Sequence, residues 1–81
     1  MKILFFAALR DALGTSELHW PACPGQTLGE LRQQLMARSP DWQQAFGQYA
    51  RLAAVNQFLA DDSTRLDDAR EVAFFPLVTG G

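Results

Sequence analysis

The chain has one cysteine, one histidine and no surplus of basic residues, and each shortage removes a class of chemistry. Cys23 has no second cysteine to bond, so no internal disulfide staples the fold. An activated thiol needs electropositive surroundings. The neighbouring Pro21 and Pro24 supply none, so Cys23 reads as an inert loop or core residue. His19 has no second ligand at metal-binding spacing and reads as a surface residue. No serine, histidine and acid arrangement supports nucleophilic catalysis, and the glycines form no phosphate-cradling motif. Seven lysines and arginines are scattered among nine acids, for a net charge of −2. A protein that grips a phosphate backbone carries a basic patch, so nucleic acid is not an expected partner. No apolar run is long enough to span a membrane. The N-terminal run Ile3-Leu4-Phe5-Phe6-Ala7-Ala8-Leu9 is short, follows one lysine and meets Arg10-Asp11 at once. It reads as a buried strand rather than a signal peptide, and the cytoplasm is the expected compartment.

What is present is a core. Hydrophobic residues make up 48% of the chain and charged residues 20%, the balance of an ordinary folded protein. At 81 residues there is chain for one domain only. Residues 2–9 suit a strand, with Ile3 and Phe5 on one face and Leu4 and Phe6 on the other. Residues 10–14 form a short turn that Gly14 ends. A second strand is expected over residues 17–20, and Pro21 to Gly25 is a loop by composition. Thr27 and Glu30 have capping-box spacing, and Leu28, Leu31, Leu35 and Met36 follow as a helical apolar stripe. Ser39-Pro40 ends that helix and caps a second one, expected to run to about Gly47 and to bury Trp42, Ala45 and Phe46. A third strand spans residues 51–55. Asn56-Gln57 makes a turn, and Phe58-Leu59-Ala60 forms a short fourth strand. The pairs Asp61-Asp62 and Asp67-Asp68 fall in turns and read as turn residues rather than a metal or acid pair. The last strand covers residues 71–75, and Pro76 stops further pairing.

This order, with the first and last strands central, predicts an α+β domain in which one mixed sheet packs on one long helix plus short helices. Hairpin-like edges around a helix suggest a ubiquitin-like β-grasp over residues 1–76, with residues 77–81 as a flexible Gly-Gly tail.

The tail is the informative feature. It follows a core strand directly, and five residues beyond Pro76 span roughly 17 Å when extended. Gly80 and Gly81 have no side chains and fit a channel too narrow for other residues. A terminal carboxyl, with a pKa of about 3.3 to 3.7, is ionised and a poor electrophile. It must be activated, for example as an acyl-adenylate, before a nucleophile attacks it. The plain alternative is a frayed terminus or a cloning remnant.

Further residues carry a resemblance. Ile3-Leu4-Phe5-Phe6-Ala7, Leu52-Ala53-Ala54-Val55-Asn56-Gln57, and Glu71-Val72-Ala73-Phe74-Phe75-Pro76 with Val78-Thr79-Gly80-Gly81 resemble the small, sulfur-carrying subunit of molybdopterin synthase over essentially the whole chain. Gly-Gly alone is shared with other ubiquitin-like proteins, whereas the Phe-Phe-Pro-x-Val-Thr-Gly-Gly run is far more specific. Leu77 departs from a second proline common in the family, and Asp68-Ala69-Arg70-Glu71 from an Asp-Gly-Asp-Glu turn.

The resemblance implies a chain that is not catalytic alone but is the sulfur-donating subunit of a sulfurtransferase. A ubiquitin-activating-like enzyme uses ATP and Mg to adenylate Gly81. A sulfur donor protein converts the glycyl adenylate to a thiocarboxylate (1-thioglycine). The tail then enters the large catalytic subunit and gives its sulfur to cyclic pyranopterin monophosphate, building the molybdopterin dithiolene of the molybdenum cofactor. Gly80 gives clearance, and Val78 and Thr79 lie in the partner's channel. The implied assembly is a heterotetramer of two small and two large subunits. Pterin, ATP and metal are handled by partners, and no cofactor is bound by this chain alone.

Alternation adds a docking surface. With Ile3, Phe5, Val72 and Phe74 inward, Leu4, Phe6, Ala73 and Phe75 face outward, Phe6 lies beside Phe75, and Leu59 extends the patch. Two other functions share these features: a sulfur carrier for thiamine or cysteine synthesis, and a non-catalytic ubiquitin-like interaction module.

Overall fold

The computed structural model describes residues 1–77. Eight elements follow in order: β1 (Lys2–Phe5), α1 (Ala7–Leu13), β2 (Glu17–His19), α2 (Leu28–Met36), α3 (Pro40–Tyr49), β3 (Leu52–Val55), β4 (Phe58–Ala60) and β5 (Glu71–Phe75). The strands form one sheet in the order β2-β1-β5-β3-β4. β1 and β5 pair in parallel, with Ile3 opposite Val72 and Phe5 opposite Phe74. The other pairings are antiparallel. The last strand therefore lies in the middle of the sheet, between β1 and β3. This is the mixed α+β sheet of a ubiquitin-like β-grasp.

The central strands are apolar on both faces, and the helices cover one of them. Ile3, Phe5, Val72 and Phe74 are all at most 1% exposed. Opposite them pack Leu28, Leu31 and Leu35 of α2, Ala45 and Phe46 of α3, and Leu9 of α1. Edge-to-face aromatic contacts bind the layers, with Phe46 and Phe74 ring centroids 5.1 Å apart and Phe5 and Trp42 5.5 Å apart. Trp42 is half-buried rather than buried, and the Arg38 guanidinium lies over its ring at 4.4 Å.

Local signals fix the helix starts. The Thr27 hydroxyl accepts from the Glu30 N–H, and the Glu30 carboxylate accepts from the Thr27 N–H, so the capping box closes in both directions. Ser39 Oγ accepts from the Trp42 N–H at 3.1 Å, and Pro40 fills the first turn. The close approach of α2 to the Asp61–Ser63 turn needs Gly29, since a Cβ there would meet Asp62 Cβ at 3.0 Å.

Several boundaries differ from the sequence reading. β1 stops at Phe5 instead of running to residue 9, and residues 7–13 are helical. The Phe6 N–H extends the ladder to the Phe74 carbonyl at 3.2 Å, Ala7 then adopts φ 54°, and Leu9 becomes fully buried. α2 ends at Met36, before Ser39-Pro40, and α3 runs past Gly47 to Tyr49. The helical layer is thus shared among segments of 7, 9 and 10 residues, with α3 slightly longer than α2.

Asn56 and Gln57 both have positive φ, 50° and 71°, which suits a two-residue hairpin turn whose twist matches its strands. The Asn56 side chain accepts from the Arg70 and Glu71 N–H groups and donates to the Asp68 carbonyl. One amide thereby ties the hairpin to the start of β5. Among the described residues no helix is long and apolar enough to cross a membrane.

Candidate functional site

The outward face of the sheet is built by strand register. Leu4 lies opposite Ala73, Ala73 opposite Ala54, and Ala54 opposite Leu59, giving an apolar row across four strands. Leu52 pairs with Phe75 in the next row toward the end of β5. The Phe6-to-Phe74 hydrogen bond sets Phe6 beside Phe75 in that same row. At the other end of the face, Lys2 lies between His19 and Glu71. The face is therefore charged at the start of β5 and apolar where the chain leaves it.

Exposure follows this layout. Phe6 is 45% exposed, Leu59 75% and Leu77 54%, whereas Phe75 and Leu4 are half-buried. Ala73 points outward by register but is only 8% exposed, because its small side chain sits between those of Leu4 and Ala54. The structure thus brings Phe6, Leu59 and Phe75 onto one surface at the root of the tail. Val78, Thr79, Gly80 and Gly81 lie outside the described residues.

The other sequence candidates take structural posts. Cys23 is 6% exposed, and burial pushes its thiol above the usual value, which keeps the sulfur protonated and unreactive. His19 is exposed, with Nε2 3.3 Å from Glu17 Oε2. Asp61 accepts from the Ser63 hydroxyl and N–H and from the Thr64 hydroxyl, which holds its carboxyl below the usual range. Asp67 accepts from the Gly25 N–H and from Arg65, with the same effect. Asp62 pairs with Arg32 at 3.2 Å.

Sequence reasoning missed three features. Leu52 and Ala54 belong to the outward face, and alternation about the buried Ala53 could have found them. Phe58 is 78% exposed but lies on the helix-bearing side of the sheet edge, opposite Val55. Arg32 spans several elements through contacts that are distant in sequence.

A mixed sheet whose last strand is central, packed on helices and bearing an outward apolar face, defines a β-grasp domain. The chain belongs to the ThiS family, whose model matches residues 3–81. It is 44% identical over 81 residues to the molybdopterin synthase sulfur carrier subunit of Escherichia coli (strain K12), covering 100% of this chain and 99% of that protein. It is 37% identical over 82 residues to the protein of that name from Mycobacterium tuberculosis (strain ATCC 25618 / H37Rv), covering 100% of this chain and 96% of that protein. Among solved structures, SAMP1 from Haloferax volcanii matches with a TM-score of 0.78 at 22% identity, covering 99% of this chain and 97% of that one, a likeness of fold alone.

Proposed function

We propose that this chain is the sulfur carrier subunit of a molybdopterin synthase, working in the cytoplasm through the carboxyl of Gly81. The observation that carries the reading is the parallel pairing of β1 with β5. It sets Phe6 beside Phe75 on an outward apolar face at the point where the chain departs toward Gly81. The full-length likeness to proteins named as such carriers supports it.

The chemistry follows from the terminal carboxylate. Adenylation by an ATP- and Mg-dependent activating enzyme joins a carboxylate oxygen to AMP with release of pyrophosphate, which turns a poor leaving group into a good one. Sulfide-level sulfur supplied by a donor protein displaces that AMP and loses its proton, and the product at Gly81 is a thiocarboxylate. The large catalytic subunit takes the apolar face through Phe6, Leu59 and Phe75. Val78 and Thr79 then occupy its channel, Gly80 passes the narrowest point, and the sulfur reaches cyclic pyranopterin monophosphate. Binding energy from the sheet face, remote from the reacting atom, is what holds the tail in place for transfer. The rigid domain of residues 1–76 supplies that face, and residues 77–81 form the stalk.

The test is the intact mass of the full chain produced together with its activating enzyme and sulfur donor. The carrier gains the mass of one oxygen-to-sulfur exchange, located on Gly81. An unchanged mass in the presence of active enzyme counts against the reading. Adding one residue after Gly81 abolishes the gain in a carrier, whereas a docking module keeps its function.

A further inference from the structure

Arg32 projects from α2 and is only 17% exposed, the most enclosed cation of the ion pairs among the described residues. Its Nε donates to Asp62 Oδ1 at 3.2 Å, in the turn after β4. Its Nη1 donates to the carbonyl of Ala50, the residue that caps α3 two positions before β3 begins. Its guanidinium carbon lies 5.2 Å from the centre of the Phe74 ring, two positions before Pro76. β3 begins and β5 ends at the Leu52–Phe75 pair, so this pair is the root of the tail. One side chain therefore fixes the start of β3 through a carbonyl and the end of β5 through a ring face. The C-terminal end of a helix also favours a cation.

We propose that Arg32 is a positioning residue for the carrier's tail: by locking Ala50 and Phe74 together it sets the direction in which the chain leaves the Leu52–Phe75 pair. The proposal deepens the carrier reading and rests on it for its functional consequence. A planar guanidinium does this where an ammonium does not. It offers separate N–H groups to Asp62 and Ala50 while its flat face rests on the aromatic ring. Transfer depends steeply on placement, since a displacement of about 1 Å costs on the order of 100-fold in rate.

The experiment uses the full chain as wild type, Arg32→Lys and Arg32→Met. Residual dipolar couplings of the Phe75 and Leu77 N–H groups are measured in weakly aligned samples, with Ile3 and Val72 as internal references. Both variants shift the Phe75 and Leu77 couplings and leave those of Ile3 and Val72 in place. Single-turnover sulfur transfer from thiocarboxylated carrier, saturated with the large subunit and held well below Tm, slows about tenfold in both variants. Affinity for the large subunit stays within about threefold, because the outward face is untouched. Lysine does not rescue.

A merely structural role lowers Tm alone. Unchanged couplings together with wild-type transfer rates overturn the proposal, as does full rescue by lysine. Should Arg32→Met fail to fold, Arg32→Lys and Asp62→Ala decide the matter. The second removes one anchor from an exposed turn and shifts the same two couplings by less. If wild-type protein itself passes no sulfur, the carrier reading falls, and the couplings alone judge Arg32.

Discussion

Phe58 and Leu59 are neighbours in sequence and almost equally exposed, at 78% and 75%, yet they stand on opposite faces of the sheet edge. Leu59 continues the outward row through Ala54 and Ala73 to Leu4, whereas Phe58 pairs with Val55 on the side that carries the helices. Docking through the outward face predicts a clean difference between them. Leu59→Asp weakens binding to the large catalytic subunit by about 2 kcal/mol, roughly 30-fold. Phe58→Asp leaves the affinity within about twofold and also lowers non-specific association. Both sites are too exposed for either change to disturb the core. Calorimetric titration of each variant checks this, and equal losses at the two positions would remove the face selectivity. Phe75→Asp also weakens assembly, but Phe75 is half-buried, so the Leu59 and Phe58 pair is the sharper test.

Alternation grouped Ile3 with Phe5 and Val72 with Phe74, and the structure shows that this supposed inward set is the buried one. Side-chain chemistry at Thr27, Glu30, Ser39 and Pro40 marked both main helix starts for an equally local reason. The end of β1 was not legible. Phe6-Ala7-Ala8-Leu9 suits strand and helix alike, and the outcome rests on a tertiary bond from Phe6 to the Phe74 carbonyl. Arg32 was invisible in the same way, because its partners lie 18 residues away at Ala50 and 30 away at Asp62. A local reading finds patterns, and neither of these is one.

The capping box gives a stability prediction. Thr27 Oγ1 accepts from the Glu30 N–H, a donor that no other residue is placed to satisfy within the first turn. Thr27→Ala leaves that donor to water and removes the hydroxyl's bond to the Glu30 carboxylate, which keeps only the residue 27 N–H. The expected loss is about 1 kcal/mol. For a domain of this size that is a fall in Tm of about 4–8 °C. Thermal melting followed by circular dichroism reads it, and a Tm within 1 °C of wild type, roughly 0.2 kcal/mol, would show the cap to be idle.

Ala7 gives a prediction of the opposite sign. Its φ of 54° is a left-handed conformation that costs an alanine roughly 1–2 kcal/mol and costs glycine almost nothing. Glycine loses about 0.4–1 kcal/mol of this advantage through the entropy of the unfolded chain. Ala7→Gly is therefore neutral or stabilising by up to about 1.6 kcal/mol, against the usual penalty for glycine at a helical position. Urea titration of the variant measures this. A loss near 1 kcal/mol would show that residue 7 samples ordinary helical geometry instead.

Asp67 sets a dependence on acid. Its carboxyl is held below the ordinary value of 3.8, first by the Gly25 N–H and then by the Arg65 side chain. Because the folded pKa lies under the unfolded one, the unfolded chain binds more protons across that interval. The stabilisation is fully present above the unfolded pKa, and it is lost as pH falls through the folded value, below about pH 4. Asp67→Asn cannot ionise, so it lacks this contribution at every pH. The urea midpoint of the wild type therefore exceeds that of the variant at pH 6, and the two midpoints converge near pH 2. Asp61 is depressed as well, chiefly by the Ser63 hydroxyl, so the single variant keeps part of its acid sensitivity. Adding Asp61→Asn flattens the remaining slope. A gap between wild type and Asp67→Asn that stays constant from pH 6 to pH 2 would mean that the Gly25 bond works as well without the charge. The anchoring of residues 21–25 to the turn before β5 would then rest on geometry rather than on ionisation.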